Sequence, residues 1–122
     1  MPFFWTDTIV LSYADVNAAK QWWATAFDCE AVSVPPDWDE TLPSDVALKL
    51  PGDKAPTILL GSRSEGRESS EHPIIFTGKV KKAYEHLRGR GVVTGAVHEE
   101  WGSEMFEIRD SEGNVVEICK EP

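Results

Sequence analysis

At 122 residues the chain can bury a core of its own without disulfide or metal staples, and it reads as one domain. A hydrophobic fraction of 41% with five Trp marks a globular protein, and 27% charged residues without a long apolar run exclude a membrane-spanning helix. Twelve Lys and Arg against twenty-one Asp and Glu give a formal charge of −9, which repels a phosphate backbone and argues against nucleic acid as a partner.

The opening MPFFWTDTIV lacks the basic start and small-residue cleavage site of a signal peptide, so the expected location is the cytoplasm. Thr8 to Tyr13 reads as a strand. Asp15 then caps a helix whose apolar positions Val16, Ala19, Trp22, Trp23, Ala26 and Phe27 recur at helical spacing. Cys29 to Val34 has strand composition, PPDWDETLP is a loop, Asp45 to Leu50 alternates like a strand, PGDKAP is a turn, and Thr57 to Leu60 is another strand. Cys29 and Cys119, without CxxC spacing, read as small buried hydrophobes; sequence leaves their pairing open.

GSRSEGRESSE, residues 61 to 71, is polar and without periodicity, as a linker is. The order of elements then restarts. His72 to Thr77 is a strand, Val80, Ala83, Tyr84 and Leu87 stripe a helix, and Gly91 is placed to end it. Val92 to Val97 is a strand, HEEWGS a loop, and Glu104 to Arg109 a strand. Asp110 to Asn114 is a turn, and Val115 to Lys120 is the last strand. Each half is thus βαβββ, eight strands in all: residues 1–60 and 72–122, divided by the linker. Val34 with Trp38 echoes Val97 with Trp101, and Thr8 precedes His72 by almost the same offset, as a duplicated module would leave them.

Glu117 lies in the last strand between apolar neighbours, so it is at a rim, paired, or part of a site. Trp38 and Trp101 lie in polar loops beside Asp37, Asp39, Glu40, Glu99, Glu100 and Glu104. They are either loop anchors or aromatic walls at the mouth of an acidic cup, suited to a flat or cationic ligand.

Two βαβββ modules in this length, ending in Asp110, Gly113, Asn114 and Glu117 as D-x-x-G-N-x-x-E, resemble the vicinal oxygen chelate superfamily of glyoxalase I, bleomycin resistance proteins and extradiol dioxygenases. The resemblance implies an α+β fold whose sheets curve into a half-open cup, and a homodimer. It also implies a metal site in the members that have one, with ligands at four strand positions. Here those positions hold Thr8, Leu59 or Leu60, His72 and Glu117, so His72 and Glu117 make only an incomplete set for Zn, Ni, Mn or Fe. His98 or Asp7 is a candidate to complete it.

The leading expectation is therefore a bleomycin-resistance-like protein that binds a small organic molecule, cationic or aromatic, through Thr8, Trp38, His72, Trp101 and Glu117 without a cofactor. The alternative is a metal-dependent glyoxalase-like lyase or isomerase in which Glu117 is metal ligand and proton carrier.

Overall fold

The computed structural model describes residues 3–38 and 40–122 as two helices and two open mixed sheets. In the first half, β1 (Ile9–Tyr13), α1 (Val16–Phe27), β2 (Glu30–Val32), β3 (Val46–Lys49) and β4 (Ile58–Ser62) give a sheet of order β1-β4-β3-β2. The second half contributes β5 (Ile74–Thr77), α2 (Val80–Gly89), β6 (Val93–Thr94), β7 (His98–Glu100), β8 (Ser103–Arg109) and β9 (Val115–Lys120). Its order is β5-β9-β8-β6, with β7 also on β8. In each sheet the opening strand runs parallel to the closing one, β1 with β4 and β5 with β9, and the other neighbours are antiparallel. Strands at matching places in the chain order thus occupy matching places in the sheets, as two βαβββ modules require.

The described residues contain nine strands rather than the expected eight. HEEWGS is not a loop: His98–Glu100 pairs with Ser103 to Met105, and Trp101 and Gly102 form the turn between them. Both turn residues are left-handed, at φ 55° and 77°, the pattern of a tight primed hairpin turn. Such turns are recognised by Asn, Asp or Gly at the first position, and Trp101 hides the signal.

Strand alternation sends Ile9, Leu11, Ile58, Leu60, Ile75, Phe106, Ile108, Val116 and Ile118 to the helix side of the sheets. There they form one buried cluster with Ala19, Trp23 and Phe27 of α1 and Val80, Ala83 and Leu87 of α2. Asp15 begins α1 as expected, its carboxylate accepting from the Ala18 N–H at 3.0 Å. Gly91 follows α2 at φ 81°, a left-handed conformation that glycine adopts freely.

Two devices join the halves. The N-terminal segment pairs with β5 through Trp5 and Phe76, which exchange backbone hydrogen bonds of 3.0 and 2.7 Å. At the opposite end the D-x-x-G-N turn acts as a latch. Buried Asp110 accepts from the Glu112 and Asn114 backbone N–H groups, from Asn114 Nδ2, and from the Tyr13 hydroxyl at the end of β1. Tyr13 in turn accepts from Trp23 Nε1, and burial followed by the Asp110 bond pushes its hydroxyl pKa up. Glu112 completes the latch by accepting from the N–H groups of Ala14 and Asp15.

The segment that composition marks as a linker is tied down. Gly61 and Ser62 finish β4 and Arg63–Glu65 forms a single 3-10 turn. Ser69 and Ser70 then run along the free edge of β1, their hydroxyls accepting from the Ser12 and Val10 N–H groups at 2.9 Å each. Side-chain oxygens here do what a neighbouring strand would do for an edge.

Candidate functional site

The face turned away from the helices is partly open on the second sheet, where Glu107 is exposed and Glu117 half-buried. On the second sheet, register places Ile74, Glu117 and Glu107 in one row and Phe76, Cys119 and Met105 in the next. His98 extends the second row through its pairing with Met105. Glu117 thus stands on the face opposite the apolar core, which Val116 and Ile118 serve. Strand alternation explains a carboxylate among apolar neighbours without any buried charge in the core.

Glu117 and Glu107 lie directly opposite each other on adjacent antiparallel strands. With Glu71, His72, Pro73 and Val115 they line a hollow of about 250 Å³. A second hollow of about 210 Å³ shares His72 and is lined by Thr6, Asp7, Thr8, Ser70, Ile74 and Phe76, among others. The two meet at the seam between the halves. Thr8, His72 and Glu117 are accordingly brought to one region, with Asp7 beside them.

Trp38 and Trp101 line neither hollow. Trp38 is half-buried in the turn after Pro35, whose carbonyl accepts its backbone N–H. Trp101 is 99% exposed at the tip of the β7–β8 hairpin. Asp39, named with them as part of an acidic mouth, lies outside the described residues. Glu107 carries no site signal of its own in the sequence. Its place between Phe106 and Ile108 signals the outward face, but its pairing with Glu117 depends on a register that sequence alone does not fix.

Like charges directly across a strand pair repel, so the Glu107–Glu117 pair favours a cation between or above the two carboxylates. No Lys or Arg is among the residues lining this hollow. Nearby, burial and then the Glu117 and Glu100 carboxylates push the Cys119 thiol up to about 11, so it is a neutral group at physiological pH.

The residues do not fit a resident metal ion. Val10 pairs with Leu59 in the first sheet as Ile74 pairs with Glu117 in the second, so Leu59 occupies the place of the missing carboxylate. Leu60 faces the helices. Thr8 holds the position that the resemblance assigns to the first imidazole, and among the described residues no group of three or more His, Cys, Asp or Glu side chains is placed to hold a metal. His98 sits on β7, where its Nε2 lies 3.7 Å from Glu100 and its Nδ1 faces the Ala96 carbonyl, so it does not join His72.

No family model and no curated protein matches the chain. Solved structures do. A glyoxalase/bleomycin resistance protein/dioxygenase superfamily member from Sphaerobacter thermophilus DSM 20745 superimposes with a TM-score of 0.72 at 20% identity, covering 96% of this chain and 97% of the other. Lactoylglutathione lyase from Agrobacterium tumefaciens gives 0.69 at 18% identity, over 95% and 92%. TnmS3, an antibiotic binding protein from Streptomyces sp. CB03234, gives 0.69 at 14% identity, over 97% and 98%. At these identities the likeness carries architecture and not chemistry, since one fold hosts many functions. The chain has the fold of the glyoxalase/bleomycin resistance protein/dioxygenase superfamily.

Proposed function

We propose that the protein is a small-molecule binder, a cytoplasmic homodimer, that takes an organic cation with an aromatic or apolar body on the open face of its second sheet. The observation that carries this reading is the facing pair of Glu107 and Glu117 beside His72 in a hollow lined by no Lys or Arg. Paired carboxylates give a protonated amine or an amidinium charge-assisted hydrogen bonds, and Ile74 and Phe76 give its body an apolar neighbour. The structural likeness to an antibiotic binding protein agrees with a binding role. The free thiols of Cys29 and Cys119 agree with a reducing compartment.

Benzamidinium and its neutral counterpart benzamide test the proposal. Trp5 stacks on Phe76, ring centroids 4.6 Å apart, and Phe76 lines the adjoining hollow that shares His72, so tryptophan fluorescence is the readout. Benzamidinium quenches it, benzamide at the same concentration does not, and added salt weakens the effect, since charge attraction is screened beyond about 8 Å at physiological ionic strength. Glu117→Gln lowers the affinity by about tenfold, the scale of one charge-assisted hydrogen bond. Equal binding of the two probes, or a Glu117→Gln protein that titrates like wild type, would refute the proposal.

A further inference from the structure

The hollow beside Glu107 and Glu117 does not stand alone. It shares His72 with the hollow of about 210 Å³ at the seam, so the two form one depression with two lobes. Trp5 pairs with Phe76 in the antiparallel sense, which brings Asp7 alongside Ile74, and both line the second lobe. Register then sets Asp7, Ile74, Glu117 and Glu107 in one row, from the N-terminal segment across β5 and β9 to β8. With neighbouring strands about 4.8 Å apart, Asp7 stands roughly 12 Å from the midpoint of the glutamate pair.

Neither lobe is lined by Lys or Arg, and each carries carboxylates: Glu71, Glu107 and Glu117 in the first, Asp7 in the second. Asp7 is exposed, and among the described residues no basic side chain lies within ion-pair distance of it. Between the two acidic ends lie Ile74 and Phe76, and Trp5 stacks on the Phe76 ring. The first half shows how this fold holds a cation on such a face. Ser12 and Gly61 pair there as Phe76 and Cys119 pair in the second sheet. Over Gly61 lies the alkyl stem of Arg67, whose guanidinium ends on Asp45, a side chain that is fully buried. The first face is thus supplied with a stem-borne cation by its own chain. The second has carboxylates at both ends of an apolar stretch and, among the residues lining its two lobes, no Lys or Arg to meet them.

Resting on the cation-binding reading above, we propose that the ligand is a dication, two protonated amines or amidinium groups on one apolar spacer. One group lies between Glu107 and Glu117, the other at Asp7, and the spacer passes His72 along Ile74 and Phe76. A single cation leaves Asp7 unused. The second group of a dication meets Asp7 at the high effective concentration that its own tether sets, provided the spacer is long enough to span the two ends.

Isothermal titration calorimetry with octamethylenediamine and octylamine, which differ by one terminal amine, decides it. Octamethylenediamine binds one per chain and about tenfold more tightly than octylamine. In Asp7→Asn, with folding checked by circular dichroism, the diamine falls to within about twofold of octylamine, the factor that its two equivalent ends leave. Glu117→Gln weakens both amines. Octylamine that binds while octamethylenediamine gains nothing over it, or an Asp7→Asn protein that keeps the gain, would overturn the dication and leave the cation-binding reading standing. Failure of both amines and of benzamidinium to bind would overturn the two together.

Discussion

The two sheets repeat one pattern but differ in what lies over their outer faces. Ala47 and Leu59 face each other across β3 and β4, as Glu107 and Glu117 do across β8 and β9. Ala47 and Leu59 are almost wholly buried, at 0% and 7% exposure, and Ser12 on the same face is at 5%. Glu107 is exposed and Glu117 half-buried. Over the first sheet runs the segment after β4. The side chain of Arg67 lies on Gly61, in the space a Cβ there would need, and its guanidinium binds Asp45 and the Glu40 carbonyl. A face covered by its own chain keeps apolar and small residues, because a buried unpaired carboxylate would be costly. The open face is free to carry charge, and charge is what a ligand can read.

Cutting the cover should produce the largest effect. The Asp45 side chain is fully buried and accepts from Arg67 and from the Leu42 N–H at 2.8 Å. Asp45→Ala strands both donors. The Arg67 side chain keeps 15% exposure and can turn partly to water, so the expected loss is about 2–3 kcal/mol, the low end for breaking a buried pair. Urea unfolding would show a lower midpoint with an unchanged slope. A loss within error of zero would mean that the segment rests on the first sheet without holding it.

Much of this architecture was legible in the residues. The Asp15 cap and the strand and helix order of both halves, β7 apart, follow from local patterns and the repeat, whereas the grouping of Thr8, His72 and Glu117 is what the family resemblance implies. What sequence hid were features that depend on distant pairing. Composition gives residues 61–71 the character of a linker and does not reveal that Ser69, Ser70 and Arg67 find partners in β1 and at Asp45. The β7 strand was missed because Trp101 stands where a turn former is expected. The partnership of Glu107 with Glu117 needs the β8–β9 register, which a one-residue slip would destroy.

The open face should respond to the same kind of change with the opposite sign. Removing one of two facing carboxylates relieves repulsion, so Glu107→Gln is expected to stabilise the unliganded protein by up to about 1 kcal/mol at low salt, and less as salt is added. Thermal unfolding at two ionic strengths measures it. Asp45→Ala destabilising while Glu107→Gln stabilises would confirm that the two faces serve different ends. Destabilisation by Glu107→Gln would show that its carboxylate has a structural partner and would remove the basis for a cation site.

The two thiols carry the comparison to its finest scale. Cys29, in the first half, is 8% exposed, and burial pushes its thiol up to about 12; Cys119, on the open face, is half-buried at about 11. Alkylation requires the thiolate, so both react more slowly than a free cysteine at mildly alkaline pH. Cys119 should still be modified first by iodoacetamide, because its face is open, and Cys29 only as the protein unfolds. The Glu117 carboxylate is one cause of the raised Cys119 value, after burial. Glu117→Gln removes that negative charge, lowers the thiol pKa, and should speed Cys119 alkylation a few-fold while leaving Cys29 unchanged. The acceleration should be largest below the thiol pKa, where the rate follows the thiolate fraction, and should vanish at higher pH. Equal acceleration of both cysteines would point to a loosened fold, and none at all would mean that Glu117 is screened from the face its strand register assigns it.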